Sequence, residues 1–476
     1  MATKDEFAES PATTRREQFW RLWAAVWLGR FIGRVSQLTG HGGSSLPGLW
    51  ARRVEPQVLS LLAQKLADGV WVVTGTNGKT TTAALIRAML EADGRPPAAN
   101  ASGSNMILGL TTALLQEVDW RLRPVKRLAV LEVDEATLPR ASAEMRPRAL
   151  LVTNVFRDQL DRYGEVSTTV DFIRRGLSDL DEAGVAVLNA DDPQVATLGA
   201  AAKRVVWFGV SGPDTGGADI DGDARFCPHC EVPLAYTFTS YAHLGDYECV
   251  ACGFRRPSLD VEILLDGAAV GGRGVRARVY DRMVDVPLPL SGTYNAYNMA
   301  AALALAVAAD MDLEAVLGGV PQGRVAFGRM ETLQYRERTV HLVLVKNPTG
   351  FNQVLETVAA GSQEAGDLLL CINDLYADGR DVSWLWDVDF ERYAAAMPSA
   401  RWHVSGSRAD DMAVRLKYAG VPAERVERLA DDPGQALESI ASTVGGPVFV
   451  FPTYTAMLGL RRRLSRQGVV AHFREG

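Results

Sequence analysis

The sequence is short of several things that would place it elsewhere. It has no basic excess: 50 lysines and arginines stand against 57 aspartates and glutamates, a formal net charge of −7. That balance argues against a general nucleic-acid binder. No apolar run approaches the ~18 residues that a membrane-spanning helix needs. The polar, acidic start MATKDEFAES is not that of a signal peptide. Cysteine is scarce, with five in 476 residues, and four of them fall in two CxxC pairs, Cys227/Cys230 and Cys249/Cys252. This is a metal pattern rather than a secreted disulfide framework, and it implies a reducing cytoplasm. Of the six histidines, none neighbours the remaining Cys371, so no Cys–His nucleophile is visible. No internal repeat or low-complexity segment stands out.

What is present is soluble and globular in composition, 47% hydrophobic and 22% charged, over a length that implies about two to four domains. Residues 1–60 read as an N-terminal helical segment. Within it, Phe19, Trp20, Trp23, Val26, Trp27, Phe31 and Val35 recur at helical spacing, flanked by Arg15, Arg16, Arg21, Arg30 and Arg34. Two readings stay open: a helix docked on the following domain, or an amphipathic helix in peripheral contact with a membrane. Next, VWVVTG reads as a buried strand entering a glycine turn, and TTTAALIRAMLEADG as a helix. RLAVLEVDE, RALLVTNV, GVAVLNADDP and KRVVWFGV are further apolar runs of the kind that buried parallel strands show. The fold class is therefore α/β. A turn-rich stretch interrupts the pattern near residue 211, and a second, smaller α/β unit starts between residues 321 and 332. The boundaries drawn are 61–325 for a central nucleotide-binding domain, with an insertion at about 222–257, and 326–476 for a C-terminal domain.

The segment VVTGTNGKTTT, residues 72–82, carries the first chemistry. Backbone N–H groups of Gly75, Thr76, Asn77, Gly78 and Thr81 can surround phosphate oxygens at a helix N-terminus. Lys79 would reach the terminal phosphates of ATP, and the Thr80 hydroxyl would ligate Mg²⁺. The general phosphate-loop expression is not met strictly, because Val73 stands where its first glycine belongs. CPHC and CVAC, with 18 residues between the pairs, suit a closed tetrahedral Cys₄ zinc ribbon, which leaves no open position for catalysis. His229, inside the first pair, is expected to be exposed rather than a ligand.

GTNGKTTT resembles the Mur ligase superfamily, which includes folylpolyglutamate synthase; these enzymes use ATP to turn a carboxylate into an acyl phosphate that an amine attacks. Further matches follow in order: LEVDE with Glu132 at the magnesium position, TNVFRDQLDRYG with Asn154, Asp158 and Asp161, and LNADDP with Asn189, Asp191 and Asp192. GTYNAYNMAAA places Asn295 and Asn298 near the adenine, and FGRME places Arg329 at the turn joining two domains. The departures are equally informative. Gln159 replaces a histidine, Arg174 and Arg175 stand where amino-acid-adding members carry a carbamylated lysine, and VKNPTGFNQVL brings Lys346 and Asn347. The usual N-terminal UDP-sugar domain does not fit ahead of residue 65.

These departures resemble one branch, the MurT-type ligase subunits of lipid II isoglutaminyl synthase. The resemblance implies ATP-dependent amidation of the D-glutamate α-carboxylate of lipid II, in the cytoplasm and at the inner face of the membrane. It also implies ammonia from a GatD-type glutamine amidotransferase held as the partner in a heterodimer. An aspartate of the C-terminal domain would complete the partner's catalytic triad. In NDLYADGRDVSWLWD the candidates are Asp387 and Asp381, with Asp378 third, while Trp384 and Trp386 pack the loop or anchor an interface. The rival readings are a standalone amino-acid ligase of Mur or folylpolyglutamate type, and a non-enzymatic nucleotide-responsive scaffold.

Overall fold

The structure is a computed structural model, and it describes residues 15–38, 45–100, 104–157, 166–213, 224–265, 274–288, 292–320, 331–361 and 366–470. Asp158, Gln159, Asp161 and Arg329 lie outside the described residues.

Two sheets organise the molecule. The first is built from β1 (Gly69–Thr74), β2 (Ala98–Ala99), β3 (Leu128–Glu132), β4 (Ala149–Val152), β5 (Val185–Asn189) and β6 (Val205–Ser211). A separate antiparallel pair follows, β7 (Ala235–Tyr241) and β8 (Leu244–Glu248), and then β9 (Val261–Leu264), β10 (Val275–Val279) and β11 (Arg282–Val286). The nine-stranded order is β11-β10-β9-β6-β5-β4-β1-β3-β2. Strands β2 to β9 in that row pair in parallel, and β9-β10-β11 run antiparallel at the edge. Strands β3, β4 and β5 are buried along their whole length, as parallel strands covered on both faces must be. One face packs on the helices Lys79–Ala92 and Thr293–Ala308, the other on Ile107–Gln116, Leu138–Met145 and Val166–Ser178. Because β1 lies between β3 and β4, the chain leaves it at a point where successive crossovers diverge to opposite sides. Ligands of open α/β sheets bind at such points, beyond the carboxyl ends of the strands.

The second sheet comprises β12 (Glu331–Tyr335), β13 (Arg338–Leu342), β14 (Asp367–Cys371), β15 (Arg401–Ser405), β16 (Val426–Arg428) and β17 (Val448–Pro452). Its order is β12-β13-β17-β14-β15-β16, antiparallel only in the β12-β13 hairpin. Apolar side chains on its two faces form separate cores, one around Phe351, Phe390 and Trp402, the other around Leu369, Leu437 and Met457.

The helix Arg15–Leu38 is docked. Leu22, Ala25 and Val26 are buried with the central core. A Cβ on Gly29 would lie 2.8 Å from Leu115 and 3.0 Å from the Pro47 carbonyl, so that glycine permits the close approach. The Arg30 guanidinium donates to the carbonyls of Leu115 (2.8 Å) and Gln116 (2.9 Å), satisfying the C-terminal end of the helix Ile107–Gln116. Val26 faces the core, opposite the tryptophans with which the spacing groups it. Among the described residues, no helix is long and apolar enough to cross a membrane.

Candidate active site and metal centre

The turn after β1 needs two left-handed glycines, Gly75 (φ +117°) and Gly78 (φ +92°). A Cβ at Gly75 would meet Thr153 Oγ1 at 2.4 Å, and one at Gly78 would meet Asn298 Oδ1 at 2.2 Å. The loop between them is pinned from β4's end. Asn77 N–H donates to Asn154 Oδ1 (2.9 Å), while Asn154 Nδ2 (3.0 Å) and Thr153 Oγ1 (2.7 Å) donate to the Asn77 carbonyl.

Lys79 opens the following helix and is buried. Its ammonium donates to the Gly75 carbonyl and to Glu135 Oε1, 3.0 Å away. Burial pulls its pKa down, but Glu135, Glu132 and Asp134 outweigh that and hold it above the ordinary lysine value. Thr80 Oγ1 donates to Glu132 Oε2 at 2.8 Å, and Asn105 Nδ2 stands 3.5 Å from Glu132 Oε1. A buried carboxylate beside a hydroxyl at the head of a phosphate loop is a donor set that fits Mg²⁺. Thr81 is buried but does not line the cavity described next.

A cavity of about 420 Å³ opens where this loop faces the second sheet. Thr76 to Thr80, Glu132, Glu135, Asn154 and Asn298 line it from one side; Lys346, Asn347, Gln353, Asp378 and Tyr454 line it from the other. The halves are bridged by Lys346 Nζ donating to the Thr76 carbonyl (3.2 Å) and Asn347 Nδ2 donating to Asn77 Oδ1 (3.0 Å). Asn298 accepts from the Thr82 hydroxyl in the first turn of the helix Lys79–Ala92 (3.3 Å), and its amide donates to Asn295 Oδ1 behind it (3.3 Å). Asn189, Asp191 and Asp192 are structural. Asp192 caps the short helix Pro193–Ala196, and Asp191 takes bonds from Tyr297 Oη (2.6 Å), Val210 N (2.8 Å) and Arg256 (3.2 Å). Burial pushes the Asp191 carboxyl up to about 6 in spite of these donors.

Sequence reasoning passed over Glu135 and Asn105 and gave no role to Gln353; it read Lys346 and Asn347 as departures from the amino-acid-adding pattern, with Asn347 and Gln353 inside NPTGFNQVL, a stretch resembling the MurT-type C-terminal domain. Glu135 follows Glu132 by three positions in LEVDEAT, and that carboxylate pair was the available signal. Asn105 carried none.

The four ribbon cysteines converge. Their sulfurs all lie within 4.8 Å of one another, with Cys227–Cys252 at 3.5 Å and Cys230–Cys249 at 3.4 Å. Tetrahedral zinc with ~2.3 Å bonds to sulfur requires edges of ~3.8 Å, so the set fits the ion. Each pair sits on a knuckle. Cys227 N–H donates to the Val232 carbonyl and Cys249 N–H to that of Phe254. The residue after each pair turns left-handed, Glu231 at φ +59° and Gly253 at φ +73°. His229 is exposed and edges onto Phe254.

Residues 73–228 match the Mur ligase middle domain, and residues 344–457 match the MurT ligase C-terminal domain. The chain is 34% identical over 449 residues to the MurT subunit of lipid II isoglutaminyl synthase (glutamine-hydrolyzing) from Streptococcus pneumoniae, covering 93% of this chain and 98% of that one. It is 33% identical over 454 residues to the Staphylococcus aureus (strain N315) subunit, covering 94% and 98%. The chain belongs to the MurT family. Among solved structures, a pseudomurein peptide ligase type C from Methanothermus fervidus shares the fold at a TM-score of 0.65 and 20% identity, over 86% of this chain and 80% of that one. The MurF ligase of Thermotoga maritima in complex with ADP does so at 0.60 and 14%, over 88% and 85%. The chain is thus a Mur-type ligase subunit.

In this MurT-family chain the C-terminal aspartates divide by environment. Asp374 accepts from Ser407 (2.8 Å) and Arg408 (3.0 Å). Asp378 is buried, bonds Thr455 N (2.7 Å) and Thr455 Oγ1 (2.5 Å), and lines the cavity. Asp381 caps Ser383 N (2.8 Å), and Asp389 caps the helix Phe390–Ala396. Asp387 is exposed and, among the described residues, has no hydrogen-bond or ion-pair partner. It closes the turn Ser383–Asp387, which Arg415 holds by donating to the carbonyls of Leu385 (3.0 Å) and Val388 (2.6 Å). Trp384 packs near Phe351, while Trp386 is exposed against Tyr418.

Proposed function

We propose that this chain uses ATP to activate the α-carboxylate of D-glutamate in the lipid II stem peptide. Ammonia from a GatD-type glutamine amidotransferase then converts the acyl phosphate to D-isoglutamine. The observation that carries the reading is the cavity in which a phosphate loop meets a MurT-type C-terminal domain through Lys346 and Asn347. The carboxylate oxygen attacks the γ-phosphorus, ADP leaves, and nitrogen then displaces phosphate from the acyl carbon. Lys79 and the loop N–H groups oppose the charge on the transferred phosphoryl group, and Lys346 brings a second cation. Thr80 and Glu132 would hold the Mg²⁺, whose chemistry there is to neutralise phosphate charge. Asn298 supports the nucleotide end of the cavity, with Arg329 assigned by resemblance alone. The Cys₄ ribbon would hold zinc structurally.

The nitrogen source lies outside this chain. Cys371 is fully buried, and burial pushes its thiol far above the ordinary cysteine value. The neighbouring strand places His403 opposite Leu369, with Nε2 engaged by Asp367 at 2.8 Å. An exposed aspartate with free oxygens is what a partner's histidine would need, and that favours Asp387 over Asp381 and Asp378. The proposal is tested by assaying the complex with ATP and lipid II, supplied with either glutamine or ammonium, and reading amide by mass spectrometry. Asp387→Asn should lower glutamine-dependent amidation by on the order of 10²-fold or more and leave ammonium-dependent amidation intact. Equal loss with both nitrogen donors, or no loss with either, would overturn the assignment. Amide formation by Lys79→Ala would overturn the ligase reading.

A further inference from the structure

We propose that the outward face of the helix Arg15–Leu38, together with the loop around Trp120, is a docking surface for an anionic phospholipid bilayer, on which the chain lies without crossing it. The surface is argued from geometry and does not rest on the amidation reading. A helix that packs on a domain normally turns its polar side outward, and this one does not. With Leu22, Ala25 and Val26 in the core, the opposite side carries Trp20, Trp23, Phe31 and Val35, spaced one turn or its multiples apart and all exposed. Trp20 is 54% exposed and Phe31 65%.

The patch continues onto a segment ninety-odd residues away in sequence. Trp23 Nε1 donates to the Trp120 carbonyl (3.2 Å), and Trp120 itself is 62% exposed, with the Arg121 guanidinium 4.2 Å from its ring centroid. Arg30 lies over Trp27 in the same manner. A patch of large exposed aromatics on a protein surface marks an interaction site.

Charge identifies the occupant. The helix holds five arginines and one glutamate; Arg21 and Arg30 bond within the chain while Arg34 is exposed, and the loop 119–126 adds exposed Arg121 and Arg123 with Lys126 against Asp119, within a chain whose net charge is −7. Basic side chains interleaved with tryptophan suit the headgroup layer of an anionic bilayer, where the rings sit at the interface and the cations meet phosphate. The ten-residue helix Ile107–Gln116 ends under this patch at Arg30's carbonyl partners; its other end, about 15 Å away, adjoins Asn105 and Met106 at the cavity.

The test is flotation of the full chain with vesicles of phosphatidylcholine alone and with vesicles containing phosphatidylglycerol. The chain should partition onto the phosphatidylglycerol vesicles, and salt should weaken that partition. Trp20→Ser with Phe31→Ser, and separately Arg34→Glu with Arg121→Glu, should each lower it by about tenfold or more. Unfolding midpoints should not move, since the altered side chains are exposed. Equal partition onto both vesicle types, or undiminished binding by both variants, would overturn the proposal. So would loss of self-association or of amidotransferase binding in the variants with vesicle binding kept, because the face would then be a protein interface.

Discussion

Two glycines at opposite ends of one helix separate backbone strain from loop geometry. Gly78 (φ +92°) precedes the helix Lys79–Ala92 and Gly94 (φ +73°) follows it; a Cβ on Gly94 meets nothing within 4 Å. An alanine at either site is held left-handed, at a cost of about 1–2 kcal/mol. At Gly94 nothing else is lost, so Gly94→Ala should cost about that much stability and leave ATP binding unchanged. At Gly78 the new methyl would stand 2.2 Å from Asn298 Oδ1, so the asparagine must move by more than an ångström. That movement breaks its bond with the Thr82 hydroxyl and its contact with Asn295, leaving buried polar groups at about 1–3 kcal/mol each. Gly78→Ala should therefore cost about 3–8 kcal/mol in all, or else the loop distorts to avoid it. In either case ATP affinity should collapse. Denaturant unfolding reports the first quantity and titration calorimetry with ATP the second. If the two alanine variants match in both measurements, the close fit of loop against helix is not what shapes the nucleotide site.

Three further outcomes rest on other parts of the molecule. Cys252→Ser, or a zinc chelator, should release one equivalent of metal by colorimetric assay and lower the thermal midpoint. The cysteines Cys227 and Cys249 pack with Leu234, Tyr236 and Tyr247 in a small cluster, which the metal would hold together beside the Tyr247 Oη bond to the Ala190 carbonyl. Arg415→Met strips donors from two buried carbonyls and from Glu391, which should cost about 3 kcal/mol. It should also reduce glutamine-dependent turnover while ATP binding survives, as kinetics against calorimetry would show. Asp367 is raised by burial, but His403, Arg338 and Arg401 outweigh that and hold its carboxyl down to about 2. A depressed folded-state pKa stabilises above the unfolded value of 3.8 and ceases to as pH falls through about 2. The stability gap between the native chain and Asp367→Asn, about 2 kcal/mol from this titration, should therefore close between about pH 4 and pH 2 in urea melts.

Much of the molecule was legible because its chemistry is local. A phosphate loop needs eight or so consecutive residues between a strand and a helix, and GTNGKTTT carries them. A zinc knuckle needs two cysteines and a turn, and CVACGF shows all three, while CPHCE reaches the same turn with a glutamate in the left-handed position. The α/β class followed from apolar runs that are continuous because both faces of those strands are covered.

Strand order, and everything that depends on it, lies beyond such reading. Glu135 reaches Lys79 only because β3 pairs with β1, and Lys346 reaches Thr76 only because two sheets close on one cavity. Five aspartates in twenty residues are equivalent as letters. Folding gives Asp374, Asp378, Asp381 and Asp389 partners within the chain and leaves Asp387 open to solvent. The helix Arg15–Leu38 makes the same point, since its composition is apolar on both sides and periodicity cannot say which side packs. Consecutive residues determined the loop, the ribbon and the class of fold. Which distant side chains meet, and which are left facing outward, was decided by tertiary packing, because burial and pairing are properties of neighbours in space.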